Sequence, residues 1–558
     1  MMKSLRDQSL LVLGLGDSGL AMCAWARRYG ASVKVWDSRE NPPQLQALRE
    51  QLPGVDFFSG ALTAEHMAGV QLVLKSPGLS PRDARLAAVY ESGVPVQGEL
   101  DLFAAELAEL KAERRYAPHV LAITGTNGKT TTTAMTALLA EAAGLRVGLA
   151  GNIGPSLLTT LADALDLEPQ AIQLPLTSDS GAMPLEGEAQ EVEEEGPIEL
   201  PDDERPLPIK PPPPKGPVFE HLPEVWVLEL SSFQLDGVQG FEPTAGAVLN
   251  ITQDHLDWHG DMAAYTEAKS RIFGREAVMV INRDDSLVEA LVPAPVMVKQ
   301  GRGKSAKLQG RRVVRFGLDA PAKPGDFGLV EEGGMAWLVR AREADETIKR
   351  MKGEEEDELI IQRLMPADAL RLRGRHNAAN ALAALALASS AGCPLAPMLH
   401  ALREYRGEPH RVEHVQTIEG IDFYDDSKGT NVGATVAAIL GLGQDRAPAK
   451  LVLILGGDGK GQDFSPLKQG VMRHARAVAL IGRDGPQLRA ALEGSGVPMV
   501  SFDTLEAATR WAYAQAENTD SVLLSPACAS LDMFRNYTHR AEVFVAEVQA
   551  IANDRGLA

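Results

Sequence analysis

The sequence predicts an α/β protein of three domains: a Rossmann-like N-terminal domain, a central domain of the P-loop ATPase type and a Rossmann-like C-terminal domain. Three observations support this class. The chain has 558 residues, well beyond the roughly 250–300 at which a single hydrophobic core stops growing. Short apolar runs alternate with helical stretches, which is typical of doubly wound parallel sheets. Two of those runs end in glycine-rich turns, near Gly14 and Gly125.

Composition narrows the class of protein further. Hydrophobic residues make up 45% of the chain and charged residues 23%, as in ordinary soluble domains. No apolar run approaches the roughly 18 residues of a membrane span, so we expect no membrane insertion. The three cysteines are too few for a disulfide framework or a zinc site and favour the cytoplasm. The formal net charge of −20 argues against nucleic-acid binding.

The first unit, residues 1–105, begins with a nucleotide-binding pattern. Gly14, Gly16 and Gly19 follow an apolar run, and Asp37 ends the next run. This spacing matches the dinucleotide-binding fingerprint, in which glycines let the backbone approach a diphosphate. NAD, FAD or a UDP-sugar could bind there, and a purely structural turn is the alternative. The charged segment Glu106–Arg115 is interpreted as the connector to the next unit.

The second unit, residues 106–407, opens with a phosphate-binding pattern. Gly125-Thr-Asn-Gly-Lys-Thr-Thr131 lies between an apolar strand and an amphipathic helix. Backbone N–H groups and the helix N-terminus form an anion site in such a loop. Lys129 is expected to reach the β- and γ-phosphates and the Thr130 hydroxyl to ligate Mg²⁺. Ile123 stands where the strict P-loop has glycine, so the motif is a shortened relative of it.

Polar side chains end two further strands of this unit. Glu229 ends the apolar run that starts at Val225. A lone buried carboxylate is costly unless it is paired or bound to a metal, so Glu229 is a candidate Mg²⁺ ligand or a salt-bridged core residue. Asp254 and His255 follow the next strand, where His255 could ligate metal, orient substrate or be merely hydrogen-bonded. The pattern around Lys269 is that of any helix-surface lysine and gives it no role.

The third unit, residues 408–558, repeats the α/β pattern. Its strands are predicted at Leu451–Leu455, Ala477–Ile481, Val497–Phe502 and Ser521–Leu524. Three polar loops, Asp425–Asn431, Gly456–Lys460 and Ser525–Ser530, are expected at carboxyl ends of strands, where open α/β sheets bind ligands.

Two stretches look added to this scaffold. Residues 163–220 contain fifteen Asp or Glu, three Lys or Arg and twelve Pro. Such a composition cannot bury enough apolar surface to offset the entropy of ordering, so a flexible surface loop is predicted, with an ordered subdomain as the alternative. Residues 341–358 are similarly charged and are expected to form a loop or a solvated helix.

Several motifs occur in the order that is typical of one family. They are Gly125–Thr131, Leu228–Leu235, Asp254-His255, His376-Asn-Ala-Ala-Asn380, His410-Arg411 and Asp426–Asn431. In this order the chain resembles the Mur ligases of bacterial peptidoglycan synthesis. Gly456–Phe464 and Ser525–Phe534 are most similar to family members that add D-glutamate. The chain departs from the family where the acidic stretch separates Asn152 from Glu229, and at Tyr537, where the family often has Phe.

The resemblance implies three domains, which bind a UDP-linked substrate, ATP and an amino acid. The implied reaction joins D-glutamate to UDP-N-acetylmuramoyl-L-alanine through an acyl phosphate, with ATP and two Mg²⁺ ions. The implied protein is a cytoplasmic monomer, and its acidic stretch could contact protein partners.

The resemblance also implies roles for individual residues. Those expected in catalysis are Lys129, Glu229, His255 and Lys269. Those expected to bind ATP are Gly125, Thr126, Asn127, Gly128, Lys129, Thr130, Thr131, Asn377, Asn380, Arg411 and Asp426. The UDP substrate is expected at Asp17, Ser18, Asp37, Ser38, Arg39, Ser76, Gly78 and Asn152, and D-glutamate at Lys428, Thr430, Lys460, Ser530 and Tyr537. Thr130, Glu229, His255 and a carbamylated Lys269 are expected to hold Mg²⁺.

Three alternatives remain open at this stage. The first is a sister ligase that adds L-alanine or meso-diaminopimelate, or a folate polyglutamate ligase, which the loops of the third unit disfavour. The second is an NAD-binding or regulatory protein that uses only the first glycine turn. The third is a scaffold role for the acidic stretch, which would hold partner enzymes together.

Overall fold

A computed structural model describes residues 5–152, 154–169, 219–299, 306–343, 359–372, 374–445, 447–459 and 461–556. Within these residues the chain forms two sheets that are entirely parallel and a third that is parallel except for one edge strand. The predicted three-domain α/β class is therefore confirmed.

The first sheet contains five parallel strands in the spatial order β3-β2-β1-β4-β5. The strands are β1 (Ser9–Leu13), β2 (Ser32–Asp37), β3 (Asp56–Ser59), β4 (Leu72–Lys75) and β5 (Val96–Gln97). The helices are α1 (Asp17–Arg28), α2 (Leu45–Gln51), α3 (Ala87–Glu91) and α4 (Glu99–Arg114). The predicted charged connector is the second half of α4, and this helix buries Leu102, Phe103 and Leu110. The segment leads from the first sheet to the second, and the helix that contains it also packs an apolar face into the core.

The second sheet has six parallel strands in the order β13-β10-β9-β6-β8-β7. Its first half comprises β6 (His119–Thr124), α5 (Lys129–Ala142), β7 (Val147–Gly151), α6 (Leu157–Leu167), β8 (Val225–Glu229) and α7 (Ser232–Leu235). Its second half comprises β9 (Ala245–Val248), α8 (Leu256–His259), α9 (Met262–Ser270), β10 (Val278–Asn282), α10 (Ser286–Glu289), β11 (Val296–Lys299), β12 (Ala306–Gln309) and β13 (Val313–Phe316). Strand β6 lies between β8 and β9, so the carboxyl ends of these three strands meet at one edge.

Two antiparallel sheets accompany the second sheet and were not predicted. Strands β11 and β12 pair with each other. A three-stranded sheet is formed by β14 (Phe327–Glu332), β15 (Met335–Glu343) and β16 (Leu359–Pro366). Helices α11 (Arg375–Ser390) and α12 (Leu395–Glu404) follow and pack against α5.

The third sheet has the order β17-β18-β22-β19-β20-β21, with only β17 antiparallel to its neighbour. The strands are β17 (Glu413–Ile418), β18 (Ile421–Asp425), β19 (Leu451–Gly456), β20 (Ala475–Ile481), β21 (Met499–Ser501) and β22 (Ser521–Leu524). The helices are α13 (Val432–Asp445), α14 (Leu467–His474), α15 (Gly485–Leu492), α16 (Leu505–Gln515) and α17 (Tyr537–Asp554). Because β22 lies between β18 and β19, the loops after these three strands are neighbours.

The acidic, proline-rich stretch begins later than the composition suggests. Helix α6 continues to Leu167, so the first residues of the predicted loop are helical. The Glu168 carboxylate accepts hydrogen bonds from the backbone N–H groups of Glu220, His221 and Leu222 at 2.7–2.9 Å. The chain therefore leaves the second unit and returns to it at one point. Residues 170–218, and with them most of this prediction, lie outside the described residues.

The second predicted addition, 341–358, overlaps the described chain only at its start. Residues 341–343 end strand β15, and residues 344–358 lie outside the described residues. Within the described chain, none of the helices is both long and apolar enough to cross a membrane. Cys23, Cys393 and Cys528 are buried and unbonded.

Candidate active site

The loop that is predicted to bind phosphate, called the phosphate-binding loop below, joins β6 to α5 through residues 125–128, and its place between a strand and a helix is as the sequence predicts. Gly128 has φ +82°, and a Cβ there would lie 2.6 Å from the Asn380 side-chain oxygen. Glycine is therefore required both for the left-handed backbone and for the close approach of α11. The Lys129 amine crosses the loop and donates to the carbonyls of Gly125 and Thr126, both at 2.9 Å. Burial lowers the pKa of Lys129, and the nearby Glu229 carboxylate opposes that shift.

Glu229 ends β8 beside this loop and is 1% exposed. The Asn152 side-chain amide donates to its Oε1 at 2.9 Å, and the Asn152 backbone N–H donates to the Glu229 carbonyl at 2.8 Å. Within the described chain no cation lies within ion-pair distance of the carboxylate, so the reading of Glu229 as a salt-bridged core residue is not supported. Asn152, expected to contact the UDP substrate, also orients this carboxylate.

Lys269 is buried on α9, at 1% exposure. Its amine donates to the Gly125 carbonyl at 2.9 Å and lies 4.5 Å from the centre of the Tyr265 ring. Burial lowers the pKa of Lys269 far below its usual value, and the Lys129 charge adds to this shift. The surface-lysine interpretation of the local pattern is wrong, because the helix packs this side chain under the phosphate-binding loop.

His255 lies at the edge of the same cleft, after β9. Its backbone has φ +54°, a conformation that is uncommon for a non-glycine residue. The ring stands edge-on to Phe233 at 4.7 Å, and Nε2 lies 3.5 Å from a carboxylate oxygen of Asp254. The side chain is 38% exposed, so one face of the ring is open to the cleft.

Sequence reasoning missed an aromatic support behind His255. Phe233, Trp258 and His259 form an aromatic cluster with ring centres 4.5–5.7 Å apart, in which Phe233 and His259 are stacked and Trp258 is tilted against both. His259 Nε2 lies 2.9 Å from the Ser232 hydroxyl, and burial lowers the pKa of His259 to about 4. The ring is therefore neutral at pH 7. Trp258 and His259, shortly after His255, were the available signal in the sequence. Their contact with Phe233 on α7 is set by the tertiary structure.

Helix α11 forms the opposite wall of the cleft. Asn377 and Asn380 are buried, and the Asn380 amide donates to the Asn377 side-chain oxygen at 3.2 Å. Both line the cleft together with His376. Their position next to Gly128 brings the two predicted ATP-binding segments together.

Two hydrogen bonds connect the third unit to the phosphate-binding loop. The Arg411 guanidinium donates to the Thr130 hydroxyl. The Asn431 amide donates to the Asn127 side-chain oxygen at 3.1 Å. Arg411, which is expected to bind ATP, therefore reaches the same cleft and is hydrogen-bonded to the hydroxyl that is expected to ligate Mg²⁺.

Asp426 and Lys428 extend the cleft into the third unit. Burial raises the pKa of Asp426 to about 7, although the Ser525 hydroxyl donates to its carboxylate at 2.6 Å. Lys428 and Thr430 line the cleft. The Lys428 amine lies 3.9 Å from the centre of the Tyr537 ring.

Two residues that are predicted to bind D-glutamate are not among the described residues that line the cleft. Ser530 is buried in the loop after β22 and is not among the residues that line the cleft. Lys460 lies outside the described residues. The cleft as a whole has a volume of about 220 Å³ and is bordered by Thr126, Lys129, Glu229, Asp254, His255, Asn377, Asn380, Arg411, Asp426 and Lys428.

The first-unit glycine turn is held by Asp37 and Ser76. Asp37 accepts from the Leu15 N–H at 2.8 Å and from the Arg39 backbone and guanidinium, each at 2.9 Å. Burial would raise the pKa of Asp37, but these donors lower it overall. The Ser76 hydroxyl donates to the Gly14 carbonyl at 2.8 Å. Both side chains thus build the turn, while Asp17, Ser38, Arg39 and Gly78 are exposed around it and Ser18 is half-buried.

Three family models match the chain. They describe the MurD-like N-terminal domain of Mur ligases over residues 8–98, the Mur ligase middle domain over residues 123–186 and 219–388, and the Mur ligase glutamate ligase domain over residues 410–528.

Curated relatives match over the full length. Proteins named UDP-N-acetylmuramoylalanine–D-glutamate ligase include one from Albidiferax ferrireducens, 53% identical over 100% of this chain and 99% of its own. Another, from Polaromonas sp., is 46% identical over 100% of both chains. A third, from Burkholderia pseudomallei, is 50% identical over 98% of each.

Solved structures show the same fold. The MurF ligase from Thermotoga maritima, in complex with ADP, gives a TM-score of 0.52 at 15% identity and covers 99% of this chain and 97% of that chain. MurF from Acinetobacter baumannii gives 0.51 at 15% identity, covering 98% and 91%.

Proposed function

Because the chain belongs to the Mur ligase family, we propose that it is an ATP-dependent ligase that joins D-glutamate to UDP-N-acetylmuramoyl-L-alanine in peptidoglycan precursor synthesis. The relatives that match its full length are named as ligases that join these two substrates. The observation that carries the proposal is one cleft that contains a phosphate-binding loop, a buried carboxylate and a cationic loop of the third unit.

The proposed chemistry overcomes the low reactivity of a carboxylate towards an amine. The γ-phosphoryl group of ATP passes to the alanyl carboxylate and gives an acyl phosphate and ADP. The D-glutamate amine then attacks the acyl carbon, loses a proton and forms the amide as phosphate leaves. Such transfers depend on positioning and on neutralising the phosphoryl charge. Lys129 and Arg411, whose cationic groups already lie at the loop, supply that charge when they exchange their present partners for phosphate oxygens.

The side chains present fit Mg²⁺, which prefers oxygen ligands. The buried Glu229 carboxylate has an amide donor from Asn152 as its hydrogen-bonding partner in the described chain, so its charge is left for a cation. The Thr130 hydroxyl borders the same loop. When bound with ATP, Mg²⁺ would neutralise phosphate charge. His255, an imidazole, is a less usual ligand for this ion and would complete the site from the open edge.

We further propose that Lys269 carries a carbamate. The reaction joins an unprotonated amine to CO₂, releases a proton and turns a cation into an anionic oxygen ligand. Burial favours the unprotonated amine that this reaction needs. Addition of ¹³C-bicarbonate should give a carbamate signal in the ¹³C spectrum of the wild type that is absent from Lys269→Met. A spectrum without such a signal in the active enzyme would refute carbamylation.

Substrate positions follow from the same surfaces. We assign the UDP substrate to Asp17, Ser18, Ser38, Arg39 and Gly78, around the turn that Asp37 and Ser76 hold, and its lactyl-alanyl end to the neighbourhood of Asn152. We assign D-glutamate to Lys428, Thr430, Lys460, Ser530 and Tyr537. Two lysines suit a dicarboxylate because charge-assisted hydrogen bonds are the strong ones.

The acidic stretch is proposed as a docking segment for protein partners, and the enzyme as a cytoplasmic monomer. Glu168 holds the backbone at residues 220–222, so we expect a variant in which a short linker replaces residues 171–218 to keep α6 and β8 in place. Unchanged turnover with loss of co-purifying proteins would support docking. Unchanged co-purification would remove the idea.

The deciding experiment measures phosphate release with UDP-N-acetylmuramoyl-L-alanine, ATP and Mg²⁺. D-glutamate, L-glutamate, L-alanine and meso-diaminopimelate are compared as acceptors. Turnover with D-glutamate alone is expected. Turnover only with another amino acid would keep the ligase chemistry and overturn the proposed specificity.

A further inference from the structure

Arg540 is a fully buried arginine in the first turn of α17. It is 0% exposed, and within the described chain its guanidinium forms no ion pair with a carboxylate. Nη2 donates to the Ser427 carbonyl at 2.8 Å and Nη1 to the Cys528 carbonyl at 3.2 Å. Burial lowers the pKa of Arg540 to about 10, which leaves it charged at pH 7. An arginine buried at such cost without a carboxylate partner requires an explanation.

The two carbonyls belong to two different loops. Ser427 lies in the loop after β18, which carries Lys428 and Thr430. Cys528 lies in the loop after β22, which ends at Ser530. These are two of the loops that we assign to D-glutamate, and their strands are neighbours in the third sheet. The guanidinium therefore fixes the distance between them.

Neighbouring contacts extend this link. The loop after β19 pairs with the loop after β22, because Asp458 and Ala529 exchange two backbone hydrogen bonds at 2.8–2.9 Å. Ala527, next to Cys528, has φ +58°, a backbone strain that must be held by its surroundings. Tyr537, whose ring lies under the Lys428 amine, begins the helix turn that carries Arg540. Arg540 thus connects two of the loops to the helix directly, and the third loop is linked to them through the Asp458–Ala529 backbone pair.

Only arginine satisfies this geometry. Its planar guanidinium presents several donors in a fixed fork, whereas lysine places a single charged group at the end of a flexible stem. Burial is the main influence on the pKa of the guanidinium, and the charges of Asp425, Asp426 and Asp532 oppose it, so the contribution of Arg540 lies in its two carbonyl contacts.

We propose that Arg540 is a positioning residue for the amino-acid substrate, because it holds the loops of the third sheet at the spacing that D-glutamate requires. The proposal rests on the proposed function for the identity of that substrate. The proposal predicts different effects of Arg540 on two steps of the reaction. Phosphorylation of the UDP-linked carboxylate uses Lys129, Glu229 and Arg411, and none of these groups is hydrogen-bonded to Arg540. Phosphorylation should therefore be insensitive to Arg540, whereas capture of the amino acid should depend on it.

The test compares Arg540→Met and Arg540→Lys with Arg510→Met. Arg510 is a matched control because it also anchors α17, through Glu547 and Asp554, but on the solvent-exposed side. Three quantities are measured in each full-length protein: the KM for D-glutamate at saturating ATP and UDP substrate, single-turnover ADP formation without amino acid, and the melting temperature.

We expect Arg540→Met to raise the KM for D-glutamate about 100-fold, the usual effect of a small misplacement of binding groups, with ADP formation unchanged. Arg540→Lys should give a smaller rise, since charge remains but one of the two carbonyl contacts is lost. Arg510→Met should change only the melting temperature. If Arg540→Met does not fold, Arg540→Lys carries the comparison.

Two results would overturn the inference. One is a KM for D-glutamate that stays at the wild-type value in both Arg540 variants. The other is a parallel loss of ADP formation and amino-acid capture, which indicates general damage to the fold. Failure of the proposed function is distinct, because it appears in the wild type as lack of turnover with D-glutamate.

Discussion

Gly151, the last residue of β7, offers a stringent test of how Glu229 is held. Its φ is +127°, and a Cβ at this position would lie 2.2 Å from the Glu229 carbonyl oxygen. That oxygen is a backbone atom of the neighbouring strand and accepts from the Asn152 N–H, so it cannot move without opening the β7–β8 pair. Gly154, three residues later, has φ +97° but open space around its Cβ position. Gly151→Ala and Gly154→Ala therefore share the backbone strain and differ in the clash.

The magnitude follows from these two terms. Forcing an L-residue into such a backbone conformation costs about 1–3 kcal/mol, which applies to both variants. Overpacking against fixed atoms costs about 1–3 kcal/mol more, which applies only to Gly151→Ala. At about 2–4 °C per kcal/mol for a domain of this size, the melting temperature of Gly151→Ala should lie several degrees below that of Gly154→Ala.

The assay is thermal unfolding followed by tryptophan fluorescence, because Trp226 lies in β8 and reports on this sheet. Phosphate release is measured in parallel. Gly151→Ala should also lower kcat, since the strand that carries Glu229 must shift. Equal melting temperatures for the two variants, or wild-type kcat in a destabilised Gly151→Ala, would refute the reasoning.

Three further predictions concern single groups. Lys269→Met should lower kcat by about 100-fold or more, as loss of a preorganised charge does. Its stability in urea denaturation should be nearly that of the wild type, because the lost bond to the Gly125 carbonyl is offset by removal of a buried amine. Substantial turnover by this variant would exclude a catalytic role for Lys269. Burial lowers the pKa of His376 to about 4, so the stability gained from the neutral ring is complete above pH 6.5. It is lost at about 1.4 kcal/mol per pH unit as the pH falls towards 4. His376→Gln should flatten this part of the pH–stability curve, and an unchanged slope would contradict the prediction. Arg28→Met removes the exposed ion pair to Asp166 between α1 and α6. It should lower the free energy of unfolding by less than about 1 kcal/mol, and by less still at high salt. A larger loss would show that this contact is a main stabilising contact between the two units.

The parallel strands were predictable from sequence because burial on both faces imposes continuous apolar runs. Leu451–Leu455 is an example, since it appears in the structure as most of β19. The antiparallel sheet of β14, β15 and β16 was missed. Its strands are only partly buried, and β15 ends in the charged stretch Arg340-Ala-Arg-Glu343. Such a pattern is also typical of a solvated segment.

The candidate site was likewise predictable from the sequence only in part. The phosphate-binding loop is a local structure, so its glycines, Lys129 and Thr130 were predictable from their spacing. The role of Lys269 was not, because the atoms that bury it belong to Gly125 and Thr124, more than 140 residues earlier in the chain. A resemblance to a family supplied that residue, whereas its own neighbours in sequence gave no indication.

By itself, the sequence determined the three α/β units, the positions of the polar strand ends and the phosphate-binding loop, because these depend on periodicity and turn chemistry within short segments. Only the tertiary structure decided which strand ends meet, that Asn152 orients Glu229, that Asp37 and Ser76 hold the first glycine turn, and that Arg540 connects the loops of the third sheet. The physical reason is that hydrogen bonding and charge act over a few ångströms in space. Partners at that distance are set by strand order and packing, which local sequence patterns do not encode.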